Sequence, residues 1–211
     1  MYVTGTFTMN GGEISGNTWN GVYVLATVSG TFTMSGTARG ALDNPVDIFY
    51  SSSTFKSIFV GALDAGTDPV ALVSFNLSLL GKQVVKWASG FGPGPLPGDR
   101  FGAGDWLVDD DGILGVKAVP LKPGEVAVGW LNPGAVRFYR FTAEVGKKYQ
   151  VIKPSGPWEI LAAWADGSGV FDSWLSLFDV DKNGEIIVMI SYISYDNYSG
   201  GSYRLRYEEV N

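Results

Sequence analysis

The chain has 211 residues, of which 45% are hydrophobic and 14% aromatic, so it can bury a core and most of it is not disordered. It contains neither cysteine nor histidine, which excludes disulfides, thiolate or histidine metal sites and a serine–histidine–aspartate triad. Its net charge of −6 argues against nucleic acid or an anionic membrane as partner, and no apolar stretch reaches the roughly 18 residues of a membrane span.

The chain begins with a repeat. The pentapeptide Gly-Thr-Phe-Thr-Met occurs at Gly5–Met9 and again at Gly30–Met34, a spacing of 25 residues. A fixed period of this size is typical of solenoids, in which each repeat stacks on the next. Residues 1–42 contain only two charged side chains, so we expect stacked strands with small hydroxyl ladders outside and with Phe7 and Phe32 stacked inside.

Residues 43–117 are more aliphatic and more charged than the opening repeats. The segment 91–98 alternates glycine and proline and is predicted to be a loop, because proline lacks the backbone donor that a central strand needs. Further along, the runs 106–108 and 112–114 flank three aspartates. This pattern predicts a β-hairpin with Asp-Gly at its turn.

Residues 118–211 contain short strands separated by turn signals, in the antiparallel style of a β-sandwich. No segment has a helical period, so the chain is predicted to be all-β. The predicted strands are Val136–Thr142, Lys148–Ile152, Ile160–Ala165, Trp174–Val180, Glu185–Tyr192 and Ser202–Glu208. In the last of them, Tyr203, Leu205 and Tyr207 alternate with charged residues and are expected to share the buried face.

The motif GTFTMNGGEISGNT at residues 5–18 resembles the coils of bacterial surface repeat proteins. These proteins have right-handed parallel β-helix folds, and residues 43–117 look like the coils that close such arrays. The resemblance implies a short right-handed parallel β-helix over residues 1–117, with clear repeats in 1–42. Because the chain starts inside a repeat, we expect it to be either the C-terminal piece of a longer exported protein or a reading frame that has lost its front.

The second half is similar to the bacterial pre-peptidase C-terminal family. The first motif is the opening L…G…G-L pattern, at Leu121 to Leu131. The others are Phe138–Ala143 for Y-x-F-T-A, Gly146–Tyr149 for G-x-x-Y, Asp172–Asp179 for D-x-x-L-x-L-x-D, and Tyr198–Leu205 for Y-S-G-T-Y-x-L, with serine replacing the threonine. The resemblance implies a jelly-roll-like antiparallel β-sandwich over residues 118–211. Members of this family are accessory domains of secreted proteins and have no catalytic residues, so none is carried over to this chain.

Two aspartate-rich turns have residue types that suit calcium, which prefers carboxylate oxygens. One is Asp109–Gly112, where a solvated hairpin turn is the favoured interpretation. The other begins like a calcium loop, D-x-D-x-N-G, with Asp179, Asp181 and Asn183 as candidate ligands. It lacks the acidic residue at loop position 12, where Ile190 stands, so a hairpin turn is again favoured. A rise in melting temperature on calcium titration would identify a site.

Three tryptophans, Trp158, Trp164 and Trp174, lie within 17 residues of one another. Flat aromatic faces can stack on sugars, but a β-sandwich of this size also buries several aromatics in its core. Core packing is the favoured interpretation, and Trp158, which follows Gly-Pro, is expected to be the most exposed of the three.

The sequence therefore favours a non-catalytic, adhesin-like structural or interaction protein of the bacterial cell surface or extracellular space, without a cofactor. A carbohydrate-binding accessory module is the alternative. A third hypothesis, a glycan-degrading β-helix enzyme, is disfavoured because no acidic pair or basic constellation stands out. Expected partners are a host or bacterial surface protein, a glycan, or a second copy meeting the open end of the solenoid.

Overall fold

The structure of the chain, a computed structural model, describes residues 2–17, 21–25, 31–40, 46–49, 57–65, 70, 77–92, 94, 96–102, 105–133, 135–171, 177–193 and 200–210. Within these residues it contains strands and two 3₁₀ turns, Leu77–Leu79 and Gly98–Arg100, and no α-helix, so the all-β prediction is confirmed. No helix in this described part is long and apolar enough to cross a membrane.

The chain divides into two compact units, Met1–Gly115 and Val116–Asn211, which we call unit 1 and unit 2. Unit 1 is built mainly from three sheets of parallel strands. The first sheet contains β1 (Tyr2–Val3), β4 (Val22–Leu25) and β7 (Val46–Phe49). The second contains β2 (Thr6–Met9), β5 (Thr31–Gly36), β8 (Ile58–Leu63) and β9 (Val85–Trp87). The third contains β3 (Glu13–Ile14) and β6 (Arg39–Gly40). The chain visits the three sheets in turn, and neighbouring strands of a sheet come from successive repeats.

The two copies of the pentapeptide lie side by side, as the parallel strands β2 and β5. Thr6 lies opposite Thr31 and Phe7 opposite Phe32, and every pair through Met9 keeps this register. The two phenylalanine rings stack with centroids 5.8 Å apart. Outside the core, the Thr31 hydroxyl donates to the Thr6 hydroxyl at 3.1 Å, one rung of the expected hydroxyl ladder, between residues 25 apart in sequence.

The β5 strand shifts register against β8 at Gly36. The φ of Gly36, +58°, lies in the left-handed region, and a Cβ on this residue would clash with the Asn10 carbonyl oxygen. Glycine is therefore required at this corner, where the two repeats are in close contact.

The predicted hairpin is also confirmed, formed by β10 (Trp106–Val108) and β11 (Leu114–Val116). The Asp109 carboxylate accepts hydrogen bonds from the backbone N–H groups of Asp111 (3.0 Å) and Ile113 (2.8 Å), which fixes the turn. Gly112 has a φ of +77°, as an Asp-Gly turn requires.

Unit 2 contains a five-stranded and a four-stranded sheet. The five-stranded sheet has the order β12 (Val119–Pro120), β14 (Val136–Ala143), β19 (Gly184–Tyr192), β16 (Trp158–Trp164) and β17 (Val170–Phe171). The four-stranded sheet has the order β13 (Ala127–Leu131), β20 (Gly201–Val210), β15 (Lys148–Ile152) and β18 (Leu177–Asp179). All pairings are antiparallel except that of β12 with β14.

Both sheets of unit 2 contribute to one hydrophobic core that is rich in aromatic rings. Phe141 of the five-stranded sheet stacks on Tyr207 of the other at 4.0 Å between centroids, and Tyr149 and Phe178 pack around them. Such rings bury large apolar areas and dominate the core energetics. The arrangement is consistent with a β-sandwich.

Five of the six strands predicted in unit 2 lie within two residues of observed strands. The sixth, Trp174–Val180, is seen as β18, and its start at 172–176 lies outside the described residues. The short strands β12 and β17 and the longer β13 were not predicted. The sequence of β13, Ala-Val-Gly-Trp-Leu, is uncharged on both faces and contains a central glycine. It therefore lacks the alternation of apolar and polar residues by which a half-buried strand is predicted.

Candidate functional site

A cleft of about 370 Å³ opens in unit 2 beside the edge strands β12 and β13. The two strands belong to different sheets, and the chain runs from one to the other through the turn at residues 121–126. The cleft is lined by Val119 to Leu121, by Glu125, by Ala127 to Trp130, and by Arg137, Tyr139 and Tyr203. An edge strand carries backbone N–H and C=O groups that no neighbouring strand uses, so this region offers polar as well as apolar contacts.

Two buried tyrosines border the cleft. The Tyr139 and Tyr203 hydroxyls are hydrogen-bonded at 2.6 Å across the two sheets. Gly129 on β13 makes room for them, since a Cβ there would lie within 2.5 Å of the Tyr203 oxygen. Burial raises the pKa of Tyr139 above its usual value, and the hydrogen bond between the two hydroxyls adds to the shift, although the Arg137 charge opposes it. The Tyr139 hydroxyl therefore keeps its proton to a higher pH than a solvated tyrosine does.

The outer face of β13 is apolar and exposed. Val128 is 66% and Trp130 58% exposed, the highest values among the large hydrophobic residues exposed in the described part of the chain. The indole rests against Gly200, where a Cβ would come within 3.0 Å of the ring nitrogen. Because Ala127, Gly129 and Leu131 face the other way, β13 presents apolar side chains on both faces. We call Val128 and Trp130 the β13 patch.

Two charged side chains line the cleft. The Glu125 carboxylate accepts a hydrogen bond from the Lys122 backbone N–H at 3.0 Å, which closes the turn leading into β13. Arg137, on β14, is exposed. Together with the tyrosine hydroxyls these groups give the cleft donors and acceptors beside an exposed indole, an arrangement suited to binding.

The sequence-predicted tryptophans lie elsewhere. Trp158, expected to be the most exposed, is only 5% exposed, so that expectation is wrong. Strand β16 begins at Trp158, and the ring packs edge-on against Tyr192 (4.9 Å) and Tyr203 (5.5 Å), so it faces the core. Trp164 is 6% exposed and Trp174 lies outside the described residues.

Trp164 borders a second cleft of about 410 Å³, which it shares with Asp179, Asp181 and Lys182. The Lys182 ammonium lies 4.7 Å from the centre of the Trp164 ring and 2.6 Å from the Asp166 carboxylate. Hydrogen bonds from Lys182 and from Ser168 hold the pKa of Asp166 well below its usual range. The ring face is thus covered by a side chain of the protein itself, which leaves it poorly placed for stacking on a sugar.

The three calcium candidates of the D-x-D-x-N-G turn do not converge. The Asn183 side-chain oxygen accepts a hydrogen bond from the Val145 backbone N–H at 2.7 Å, and Asp179 pairs with Lys148 at 3.4 Å. Asp181 is exposed. Among the described residues, no group of three or more acidic side chains is arranged to hold a metal ion. A hairpin turn without calcium stays the favoured interpretation of this turn and of Asp109–Gly112, and the calcium titration described above tests it.

Sequence reasoning missed Trp130 and Val128 as exposed residues, because both faces of β13 are uncharged and the sequence does not show which of them is buried. Val126, Val128 and Trp130 follow one another at a spacing of two, while Ala127, Gly129 and Leu131 form an equally uncharged opposite face. A strand at the edge of a sheet that is uncharged on both faces exposes one of them. The edge position itself could not be read from the sequence.

Neither the known protein-family models nor the curated proteins contain a match to this chain. Among solved structures, the chain is similar to a periplasmic lysozyme inhibitor of g-type lysozyme from Salmonella Typhimurium. The sequence identity is 13%, the match covers 44% of this chain and 98% of that one, and the TM-score is 0.35. A similarity at this TM-score supports no conclusion about the fold or function of this chain.

Proposed function

We propose that this chain is a non-catalytic, adhesin-like interaction protein of the bacterial cell surface or extracellular space, and that the β13 patch is its binding surface. The single observation that carries the proposal is the exposure of Val128 and Trp130 on an uncharged edge strand beside a cleft. Exposed apolar groups clustered at a cleft mark interaction sites, and tryptophan is enriched at the centres of interfaces.

The proposed architecture supports this function. We infer that the parallel sheets of unit 1 are closing coils of a right-handed parallel β-helix and that unit 2 is a jelly-roll-like sandwich of the pre-peptidase C-terminal type. In unit 1, strands of successive repeats stack in register, as in a solenoid. The extracellular location rests on the resemblance of the coils to surface repeat proteins.

The experiment is a binding assay of the full chain on immobilised extracellular glycoproteins and bacterial cell-wall polysaccharides. We expect Trp130→Ala to weaken any binding by about tenfold or more, because a buried interface tryptophan commonly contributes over 1.4 kcal/mol. Leu177→Ala is the matched control, since Leu177 is an exposed residue (43%) on the opposite edge of the same sheet. Binding that survives Trp130→Ala unchanged, or no binding to any surface, contradicts the proposal.

A carbohydrate ligand is the second candidate, and Trp130 is the observation that favours it. An exposed indole beside the Glu125 carboxylate, the Arg137 guanidinium and the tyrosine hydroxyls combines a stacking surface with hydrogen-bonding groups. This moves the proposed stacking residue from Trp158 or Trp164 to Trp130.

A glycan array followed by tryptophan-fluorescence titration tests the carbohydrate hypothesis. We expect a bound glycan to change the emission of the natural chain and not that of Trp130→Ala, while Trp130→Phe retains part of the affinity through its smaller ring. Absence of any glycan response removes carbohydrate as the ligand class and leaves a protein partner.

A further inference from the structure

We propose that β13 pairs with β13 of a second copy of this chain, in antiparallel orientation, so that the two four-stranded sheets become one continuous sheet. The inference rests on the proposed function, because it names the partner of the same surface. It differs from the self-association expected at the open end of the solenoid, since it places the contact in unit 2.

The four edge strands of unit 2 differ in how well they resist pairing. Natural sheets protect their edges with short strands, proline or charged side chains. Strand β12 has two residues, one of which is Pro120, and β18 contains the exposed Asp179. Strand β17 is described over two residues, Val170–Phe171. Strand β13 has five residues, no proline and no charge, so among the described strands it is the edge most open to another strand.

The sequence of β13 is complementary to itself in one register. Full overlap of two antiparallel copies of Ala127–Leu131 places the two-fold axis at Gly129. Val128 of each copy then lies directly opposite Trp130 of the other, so the interface contains two such pairs. Pairs of an aromatic and a β-branched residue are among the favourable cross-strand contacts. Beyond the strand ends, Glu125 falls opposite Pro133, so no like charges meet.

The contact is small. The β13 patch and the strand backbone of two copies bury less than the roughly 1,200 Å² of a standard stable interface. We therefore expect a reversible dimer with a dissociation constant on the order of 10 to 1,000 µM, which local concentration on a surface would favour.

The first test is sedimentation equilibrium of the full chain from about 1 µM to 1 mM, a range that spans the expected dissociation constant. We expect the mass to rise from that of the 22.6 kDa monomer towards a dimer. Val128→Lys should abolish the rise, because a charge on the exposed face is a natural edge protection. Leu177→Lys, on the opposite edge of the same sheet, should leave it unchanged. Loss of the rise in both variants, or in neither, overturns the proposal.

The second test determines the register in which the two β13 strands pair. The natural chain has no cysteine, so an intermolecular disulfide reports only the introduced residues. Directly opposite residues lie within disulfide reach. An oxidised equimolar mixture of Val128→Cys and Trp130→Cys chains should therefore give mainly the mixed dimer by mass spectrometry. If the two homodimers and the mixed dimer form in statistical amounts, or if no disulfide-linked dimer forms, pairing about Gly129 is contradicted.

The outcomes separate this inference from the proposed function. A chain that stays monomeric up to the highest concentration and still binds a ligand through Trp130 overturns self-pairing only. A chain that forms the dimer but binds no glycoprotein or polysaccharide supports self-pairing and contradicts the proposed function. A monomer that also binds no ligand through Trp130 overturns both.

Discussion

In unit 1, the main neighbour of a core residue is its counterpart one repeat further along the chain, as when Phe7 stacks on Phe32 at 5.8 Å. In unit 2, the main neighbour lies on a strand distant in sequence and in the other sheet, as when Phe141 stacks on Tyr207 at 4.0 Å. Unit 1 therefore repeats one contact, whereas unit 2 combines many different contacts into a single core.

The difference predicts two kinds of stability. A stack of repeats is stabilised approximately by the sum of each repeat and its interfaces with the neighbours, so damage to one repeat stays local. A core shared by two sheets is stabilised as a whole, because each ring touches several others, and damage to one residue spreads through the unit. The predictions below test this comparison.

The largest expected effect is that of Phe141→Ala compared with Phe32→Ala. Each substitution removes a buried ring, which typically costs about 3–5 kcal/mol in free energy of unfolding. In Phe141→Ala we expect faster amide hydrogen exchange in all long strands of unit 2. In Phe32→Ala we expect faster exchange in β2, β5 and β8 and little change in the β10–β11 hairpin. Hydrogen exchange followed by mass spectrometry measures both patterns.

Phe141→Leu and Phe32→Leu serve as controls, because they keep most of the volume and should cost less than about 1.5–2 kcal/mol. If Phe32→Ala accelerates exchange in the hairpin as much as in β5, unit 1 unfolds as one block and the comparison fails.

The same difference explains how much of the fold could be predicted. The repeat in unit 1 is visible because identical residues must meet, and Thr6 to Met9 pair in register with Thr31 to Met34. The long strands of unit 2 are visible because one face is buried and the other exposed, as in β20, where Tyr203, Leu205 and Tyr207 are buried. Both signals are local in sequence.

The candidate site could not be predicted in the same way. Which of several tryptophans is exposed depends on whether its side chain is on the face of the strand that packs against the other sheet, and that packing follows from contacts between distant residues. Trp158 on β16 packs against Tyr192 and Tyr203 and is buried. Trp130 is on the outer face of β13 and is exposed. The residue type is visible in the sequence, whereas the face it occupies is fixed by the packing of the two sheets.

A smaller effect is expected for Tyr139→Phe. This substitution leaves the buried Tyr203 hydroxyl without the partner it has at 2.6 Å, which typically costs about 1–3 kcal/mol. In the Tyr139→Phe, Tyr203→Phe double variant, the loss should be smaller than the sum of the two single losses, because no hydroxyl remains unpaired. Urea unfolding of the four proteins gives the coupling free energy. Additive losses would mean that the two hydroxyls act independently and that unit 2 is less cooperative than its core suggests.

The smallest effect is expected in unit 1, at the hydrogen bond that the Ser35 hydroxyl donates to the Asn10 side chain at 2.6 Å between successive repeats. Ser35→Ala removes one rung of a solvated ladder, and water can satisfy Asn10, so we expect a loss of only about 0.5–1 kcal/mol. Ser15→Ala, at an exposed serine of the first repeat, is the control and should change stability by no more than about 0.5 kcal/mol. Urea unfolding measures both. If Ser35→Ala cost as much as Tyr139→Phe, the ladder would be as cooperative as the aromatic core, and stability in unit 1 would depend on its outer face as much as on its buried rings.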